Sequence, residues 1–308
     1  MEILHALPDI SYNKPSVIAL GNFDGVHRGH QVLISRTVQK AKKIGGKSVV
    51  LTFNPHPLTL IRPEESPKLL ITQQQKEAKI AELGADLLLF LPFTPEFAAL
   101  SPDEFIAMIH RVLRPASVVI GFNYTYGYRG SGNADTLRNA GKKLGFEVEV
   151  VPPQKIGGEL ISSTKIRQAL AEGDIKGARE LLGYWPILAG KVGPGAQRGR
   201  ELGFPTANVA IPEEIMLPRL GVYGAKCIIE ERSYLSVVNI GIKPTFDQEN
   251  KPVVEAHILD FQGDLYGRLV ELHLFQYLRP EKRFPCADEL MKQIAQDILV
   301  ARSGSMYL

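Results

Sequence analysis

The sequence lacks the features that mark several common classes of protein. Only two cysteines occur among 308 residues, Cys227 and Cys286, and neither lies in a Cys-x-x-Cys pair or a Cys/His cluster. We therefore expect reduced thiols, and neither a disulfide framework nor a cysteine-based zinc site. The formal net charge is only +3. Such a small excess gives no indication of a nucleic-acid-binding or membrane-binding surface.

Long apolar segments are missing too. No run of the sequence approaches the roughly 18 apolar residues that cross a membrane, and residues 1–15 lack the basic start and apolar core of a secretory signal. We therefore expect a cytoplasmic protein that binds small molecules and has no membrane or nucleic-acid partner. For its oligomeric state we expect a monomer or a weak homo-oligomer.

What is present divides the chain into two halves, in keeping with a length that favours two domains. In the first half, short runs rich in Val, Ile, Leu and Phe alternate with amphipathic segments of helical spacing. This alternation predicts an open α/β sheet of parallel strands, whose ligands bind at the carboxyl ends of the strands. The predicted strands are 17–23, 48–53, 86–93, 117–122 and 147–153, and the predicted helices are 30–45, 72–84, 101–113 and 133–145.

After Leu182, helical periodicity gives way to apolar runs broken by Gly, Pro and Asn. The domain boundary is placed near Trp185, so the two domains are expected to cover 1–183 and 184–308. The pattern of the second half predicts an antiparallel barrel or sandwich of about six strands, followed by an amphipathic helix over 286–302. The apolar runs that support this prediction are 187–192, 221–230, 234–242, 253–261 and 268–278.

The stretch GNFDGVHRGH at 21–30 is the first functional signal. It joins a predicted strand to a helix, where glycines let the backbone approach a ligand and free N–H groups attract an anion. His27 and His30 are three residues apart and can project towards one phosphate. Since no nucleophile with a base is obvious, we expect direct transfer between phosphorylated substrates, assisted by positioning and by Mg²⁺. The alternative is a glycine-rich turn with two solvated histidines.

A second segment, LISSTKIRQAL at 160–170, begins with hydroxyl residues that can cap a helix. Together the two segments resemble the GxFDxxHxGH and ISSTxxR signatures of the nucleotidyltransferase superfamily, which transfers AMP or CMP to a phosphate acceptor. The resemblance implies that His27 and His30 are catalytic. It also implies an ATP-phosphate site formed by Gly21, Phe23, Asp24, Gly29, Ser162, Ser163, Thr164 and Arg167.

Two more segments follow predicted strands, FNPHP at 53–57 and GFNYTYGYRGSGN at 121–133. Aromatic side chains on such a loop can stack on a flavin or an adenine ring. Loop packing is an equally good interpretation of the tyrosines. In the superfamily pattern an aspartate usually stands at position 123, so this sequence lacks that negative charge. The candidates for flavin contact are His56, Asn123, Tyr124 and Tyr126.

The second half contains GRELGFPTANV at 199–209, followed in order by GVYGAK, NIGIKPTF, VEAHILDF and DLYGRLVELHLFQYLRPEKRF. These motifs resemble those of riboflavin kinases. With the first half included, the chain looks like the bifunctional bacterial riboflavin kinase/FAD synthetase family over nearly its full length. The expected α/β fold is an N-terminal, Rossmann-like nucleotidyltransferase domain with an open parallel sheet, and a C-terminal, six-stranded antiparallel β-barrel with a terminal helix.

Kinase chemistry needs a phosphate loop, a metal site and a proton acceptor. The sequence has no GxxxxGK[ST] loop, but a basic glycine-rich segment at 191–200 leads into Thr206 and Asn208, which we expect to bind Mg²⁺. The family places its catalytic base at Glu255. His257, on the same face of that strand, is interpreted as structural or supporting. The ATP-binding candidates in this half are Lys191, Arg198, Gly203, Phe204 and Pro205.

The expected function has two steps. Riboflavin is phosphorylated by ATP to FMN, and FMN is then adenylylated by a second ATP to give FAD and pyrophosphate. One alternative is a nucleotidyltransferase for another phosphate acceptor, with a C-terminal domain that only binds flavin. Another is a flavin- or RNA-binding regulator without catalysis. The GFPTAN motif and Glu255 weigh against the first alternative, and the near-neutral charge weighs against an RNA-binding protein.

Overall fold

The computed structural model describes residues 1–8, 14–194, 203–242 and 252–305. The chain divides into two compact units. The first unit contains 1–68 and 73–161, and the second unit contains 69–72 and 162–308. Each unit has its own hydrophobic core.

The first unit is built on a sheet in which neighbouring strands are parallel. Its strands are β1 (Glu2–Leu4), β2 (Ser16–Leu20), β3 (Lys47–Asn54), β4 (Leu87–Pro92), β5 (Pro115–Gly121) and β6 (Glu147–Val151). Their spatial order is β1-β4-β3-β2-β5-β6, and the inner strand β2 is buried at every position. Burial of this kind explains why the strands appear in the sequence as continuous apolar runs. The predicted open parallel sheet is confirmed, with β1 as an additional strand.

Helices connect these strands. They are α1 (Arg28–Lys43), α2 (Pro57–Ile61), α3 (Gln73–Glu82), α4 (Pro95–Ala98), α5 (Pro102–Leu113) and α6 (Ala134–Leu144), and a short hairpin follows, formed by β7 (Lys155–Ile156) and β8 (Glu159–Leu160). The four longest of these helices agree closely with the predicted segments, whereas the short helices α2 and α4 were not predicted. Three of the four predicted helical segments end at Gly45, Gly84 and Gly145, whose φ angles are 62°, 78° and 82°. Left-handed glycines close helices because other residues adopt this conformation only at a cost.

The second unit begins with two helices, α7 (Ser163–Glu172) and α8 (Ile175–Leu182). Six antiparallel strands then form a closed barrel in the order β10-β13-β12-β11-β14-β9, once they are numbered along the chain. These strands are β9 (Ile187–Gly193), β10 (Ala207–Ala210), β11 (Gly221–Ile229), β12 (Arg232–Ile242), β13 (Pro252–Ile258) and β14 (Leu269–Arg279), and the terminal helix is α9 (Ala287–Ser305). The predicted barrel and terminal helix are confirmed.

Alternation along the barrel strands decides which side chains face outward. On β13, Val254, Ala256 and Ile258 belong to the buried core, whereas Glu255 and His257 are partly exposed. The strand period of two therefore puts both polar residues on the outer face of the barrel. Part of that outer face is covered by α9, whose Ala301 packs into a second buried cluster with β-strand residues.

The packing of α7 and α8 decides where the compact units separate, whereas the functional boundary predicted at 183/184 stays a prediction. Residues of α7 and α8, such as Leu170 and Leu182, share one buried cluster with barrel residues such as Leu188 and Leu274. Because these two helices bury their apolar faces on the barrel, they belong to the second unit by their contacts, and the units separate between Ile161 and Ser162.

Candidate active sites

The strand order of the first unit brings three of the predicted functional segments to one edge of the sheet. Strand β2 lies between β3 and β5. Segment 21–30 follows β2, segment 53–57 lies at the end of β3, and segment 121–133 follows β5. Since the strands are parallel, their carboxyl ends meet at the same edge, where open α/β sheets bind ligands.

The turn at 21–30 has an unusual backbone. Phe23 and Val26 have φ angles of 49° and 35°, and both side chains are fully buried. Bulky residues adopt left-handed conformations at a cost, and such strain concentrates at functional sites. Two glycines make room for aromatic rings. A Cβ at Gly21 would lie 2.9 Å from the Phe23 ring, and a Cβ at Gly29 would lie 3.2 Å from the His27 ring.

His27 and His30, the histidine pair, lie together at the start of α1. Their rings stack with centroids 3.6 Å apart and planes 14° apart. His27 is the N-cap of α1, because its Nδ1 accepts a hydrogen bond of 3.3 Å from the backbone N–H of His30. An accepting nitrogen is unprotonated, so neutral His27 has its proton on Nε2. Nδ1 of His30 is buried and has no hydrogen-bond partner among the described residues.

Burial keeps both imidazoles neutral. It lowers the pKa of His27 to about 4. The pKa of His30 lies well below its ordinary value, first because of burial and then because of the neighbouring His27 and Lys76. Two neutral rings at a helix N-terminus can donate N–H groups to a phosphate without bringing two buried charges together.

Lys76 of α3 reaches the same turn and is only 9% exposed. Its Nζ donates a hydrogen bond of 3.0 Å to the carbonyl oxygen of Asn22. That oxygen also accepts a hydrogen bond of 3.0 Å from Oγ1 of Thr52, on β3. Burial lowers the pKa of Lys76, and the carboxylate of Asp24 opposes this effect. Buried Lys76 and buried Asp24 thus bring side chains of opposite charge to a turn that also contains two neutral histidines.

His56 links the end of β3 to this turn. Its Nε2 lies 3.4 Å from the side-chain nitrogen of Asn22, and its Nδ1 accepts a hydrogen bond from the N–H of Leu58 as the N-cap of α2. The imidazole is therefore fixed at the edge of the sheet, beside the segment that contains the histidine pair. The structure thus brings His56 into contact with the 21–30 turn, and flavin contact by His56 stays a prediction.

The predicted flavin residues on the loop after β5 differ in exposure. Asn123 is exposed. Tyr126 is buried, and its hydroxyl group lies 3.0 Å from Oγ1 of Thr136. The ring of Tyr124 stacks on that of Tyr126 with centroids 6.1 Å apart, and its hydroxyl group is buried without a hydrogen-bond partner in the described part of the chain. Tyr126 supports the loop from inside, and flavin contact by these residues stays a prediction.

The ISST segment has the predicted local structure. Ser162 is the N-cap of α7, because its hydroxyl oxygen accepts a hydrogen bond of 3.3 Å from the N–H of Lys165. Ser163 and Thr164 are the first helical residues, and Arg167 lies one turn further along. This segment belongs to the second unit. Binding of ATP phosphates by Ser162, Ser163, Thr164 and Arg167 stays a prediction.

In the barrel, Glu255 lies between two asparagines. It is opposite Asn208 on β10 and opposite Asn239 on β12. Directly opposed residues in antiparallel strands have Cβ atoms about 5 Å apart, so the three side chains are neighbours on the outer face. Thr206 is exposed and precedes β10 by one residue. The predicted base and metal residues therefore lie on adjacent strands.

A second carboxylate, from Glu281, reaches this outer face. Nδ2 of Asn239 donates a hydrogen bond of 3.4 Å to Oε1 of Glu281. The same carboxylate lies over the backbone of Gly241, where any Cβ would overlap it. The carboxylates of Glu255 and Glu281 thus both neighbour Asn239.

His257 holds the segment before β10 in place. Its Nδ1 donates a hydrogen bond of 2.8 Å to the carbonyl oxygen of Pro205, and its ring meets the Phe204 ring edge-on at 5.5 Å. These contacts position the residue that follows, Thr206. The interpretation of His257 as a structural residue agrees with this geometry.

The remaining ATP-binding candidates of the second half lie on β9, just before β10 or outside the described residues. Lys191 is exposed on β9, and its neighbour in sequence, Val192, points into the barrel. Gly203 has a φ angle of 79°. Arg198 lies outside the described residues. Among the described residues, no cluster of three or more His, Cys, Asp or Glu side chains could hold a metal ion. Binding of Mg²⁺ by Thr206 and Asn208 stays a prediction.

Comparison with known proteins identifies both halves. The family model for FAD synthetase matches residues 9–165, and the model for riboflavin kinase matches residues 182–304. The bifunctional riboflavin kinase/FMN adenylyltransferase of Listeria monocytogenes serovar 1/2a is 39% identical over 91% of this chain and 90% of its own. That of Escherichia coli K12 is 35% identical over 98% and 97%. The chain belongs to the bifunctional riboflavin kinase/FMN adenylyltransferase family.

The chain is thus an enzyme, a bifunctional transferase with a FAD synthetase part and a riboflavin kinase part. A crystal structure described as a macrolide-efflux protein from Streptococcus pneumoniae superposes with a TM-score of 0.88 and 33% identity, and covers 97% of this chain and 98% of that one. The efflux description belongs to that protein. In the part of this chain that the structure describes, no helix combines the length and apolar character needed to span a membrane.

Three residues near these sites are missing from the sequence-based candidates. Lys76 lies on a helix without any motif, and only its burial distinguishes it from other lysines. Asn239 lies inside the quoted NIGIKPTF motif, and Glu281 lies in LRPEKRF. For Asn239 the sequence did contain a signal, because it is a polar residue within an apolar strand segment. The positions of Lys76 and Glu281 depend on contacts between distant segments.

Proposed function

We propose that the first unit adenylylates FMN with the help of His27 and His30, and that the barrel phosphorylates riboflavin with Glu255 as its base. The observation that supports this division most directly is the position of Glu255 between Asn208 and Asn239, because it gives the barrel a polar site of its own. For the functional domains we keep the boundary at 183/184, which lies close to the start of the riboflavin kinase match at residue 182.

In the kinase step, the carboxylate of Glu255 accepts the proton of the ribityl 5′-hydroxyl group of riboflavin. The hydroxyl oxygen forms a bond to the γ-phosphorus of ATP, the bond from that phosphorus to the bridging oxygen breaks, and ADP leaves. Asn208 and Thr206 offer uncharged oxygen ligands of the kind that Mg²⁺ accepts together with substrate phosphates. When bound there, Mg²⁺ would neutralise negative charge on the phosphates.

In the adenylyl step, an FMN phosphate oxygen forms a bond to the α-phosphorus of ATP, and pyrophosphate leaves. This oxygen is already ionised near neutral pH, so the step needs no protein base. The histidine pair supplies neutral N–H donors at the N-terminus of α1, where negative charge on the phosphates is also stabilised by the helix dipole. Gly21, Phe23, Asp24 and Gly29 form the turn that holds these donors.

The first test incubates the purified protein with riboflavin, ATP and Mg²⁺ and separates the flavins by chromatography over time. FMN should appear first and FAD should follow. His30→Ala should abolish FAD formation and leave FMN formation intact. Glu255→Gln should abolish FMN formation, but the variant should still convert supplied FMN to FAD. Each variant is therefore the control for the other.

The outcomes separate the two assignments. If Glu255→Gln still phosphorylates riboflavin, the base is assigned wrongly. If the wild-type protein forms FMN and no FAD, the first unit does not perform the proposed step with FMN. In the same experiments, gel filtration would test the expected monomer or weak homo-oligomer, and fractionation of cells would test the expected cytoplasmic location.

A further inference from the structure

Lys76 lies on α3 and is buried, whereas lysines on helices are usually exposed to solvent. It lies in the first turns of α3 and is 9% exposed, and its neighbour Gln75 is 5% exposed. Lysine is rarely buried to this extent unless it has a partner. Here the partner belongs to the functional turn rather than to the helix itself, because Nζ binds the carbonyl oxygen of Asn22.

The carbonyl group of Asn22 is fixed from two elements at once. Thr52 on β3 and Lys76 on α3 each donate a hydrogen bond of 3.0 Å to it. Asn22 immediately precedes Phe23, whose left-handed backbone begins the turn. The edge of the Phe23 ring in turn meets the His30 ring, with centroids 5.3 Å apart. A displacement of the carbonyl group would therefore be passed to the histidine pair.

Lys76 also affects the charges in the turn. Asp24 is 3% exposed, and its carboxylate stabilises the charged form of Lys76. A buried carboxylate is costly without a nearby positive charge. The positive charge of Lys76 in turn disfavours a proton on His30, whose pKa it lowers. One ammonium group thus acts on both the anion and the histidines of the turn.

We propose that Lys76 is a positioning residue for adenylyl transfer: by binding the Asn22 carbonyl group, it holds the histidine pair in its stacked geometry. Lys76 acts through the turn and does not itself touch the reacting atoms. The inference rests on the proposed function of the first unit.

The test compares Lys76→Met, which keeps the length of the side chain, with Lys43→Met, which removes an exposed lysine from the last turn of α1. Lys76→Met should lower kcat for FAD formation from supplied FMN by about tenfold or more, because small displacements of catalytic groups are costly. The KM for ATP should change little. The rate of FMN formation from riboflavin should also change little. Lys43→Met should behave like the wild type in all three measurements.

A second readout does not depend on activity. The ring signals of His27 and His30, assigned in NMR spectra with His27→Asn and His30→Ala, should move in Lys76→Met and stay in place in Lys43→Met. If the wild-type protein makes no FAD, the proposed function fails, and the ring signals still test the role of Lys76. Unchanged ring signals together with an unchanged kcat would overturn the inference.

The charge balance is tested by a double-mutant cycle with Asp24→Asn. If the charge of Lys76 acts on Asp24, the fold-decrease in kcat of the double variant should be smaller than the product of the fold-decreases of the two single variants. If the two substitutions lower kcat by factors that simply multiply, the charge of Lys76 does not act on Asp24, and this interaction is overturned. Should Lys76→Met not fold, Lys76→Arg replaces it. Because arginine keeps the charge and the donors, it should retain the native ring signals and most of kcat, and loss of both would contradict the proposal.

Discussion

The imidazole rings of His27 and His30 lie face to face, with centroids 3.6 Å apart and planes 14° apart. The stacking follows from the start of α1, because Nδ1 of His27 accepts a hydrogen bond from the backbone N–H of His30. This bond holds the His27 ring over the His30 ring. Because the rings are this close and mostly enclosed, a proton on one disfavours a proton on the other. Burial lowers the pKa of both rings below neutral pH, so the pair is neutral at the pH at which cells operate.

The buried His27 should make the protein less stable in mild acid. Its pKa is about 4 in the folded chain and 6.5 in the unfolded chain. Between these pH values the unfolded chain binds a proton that the folded chain does not, so the free energy of unfolding falls as the pH is lowered. Because of His27, the free energy of unfolding begins to fall near pH 6.5, and the loss reaches at most about 3 kcal/mol near pH 4. Urea unfolding followed by circular dichroism at several pH values measures it.

His27→Asn is the control for that measurement, because asparagine is also a good N-cap and does not titrate. The variant should be nearly as stable as the wild type at pH 7 and should lose less stability on acidification. An identical pH dependence in both proteins would show that His27 is not the responsible group.

The same variant separates the two roles of His27. Since Asn keeps the cap but lacks the imidazole N–H, His27→Asn should reduce FAD formation by about a hundredfold or more, in line with the loss of a transition-state hydrogen-bond donor. His27→Ala should in addition lose about 1 kcal/mol of stability. The measurements are FAD formation and thermal unfolding. An active His27→Asn variant would limit the residue to a structural role.

Gly241→Ala should impair the kinase step selectively. The added Cβ would overlap the Glu281 carboxylate and break its hydrogen bond to Asn239, next to Glu255. We expect about a tenfold loss in riboflavin phosphorylation, the order of a lost positioning contact, and no change in FAD formation from supplied FMN. In a Glu281→Ala background the glycine substitution should have no further effect. Additive losses in the two variants would contradict this explanation.

Arg279 should be important for the stability of the barrel. Its Nε donates hydrogen bonds of 2.9 and 3.1 Å to the two carboxylate oxygens of Asp297 on α9, and its Nη2 donates one of 2.8 Å. The Asp297 side chain is 5% exposed. Arg279→Met removes the positive partner of this buried carboxylate and leaves it only the hydrogen bond from Gln293, which costs about 3 kcal/mol. Denaturant unfolding followed by the fluorescence of Trp185, the only tryptophan, measures the loss. Arg279→Met/Asp297→Leu should recover part of it.

Local patterns in the sequence predicted most of the elements correctly. Glycines with left-handed φ angles end three helices of the first unit, and Ser162 caps α7 as the sequence predicts. Strand β1 is missing from the prediction because three residues give no period. It is defined by the pairing of Glu2–Leu4 with Leu87–Leu89 on β4, which lie more than 80 positions away in the sequence.

By itself, then, the sequence determined the two halves, the parallel sheet, the barrel and the motifs of both reactions, because these depend on periodicity and on residues close together in the chain. The tertiary structure decided the rest. Lys76 and Asn22 are 54 positions apart, and Asn239 and Glu281 are 42 apart. The packing of α7 and α8 on the barrel is likewise invisible to local pattern. Such contacts arise only when distant segments are buried together, because burial and charge depend on the whole surroundings of a side chain.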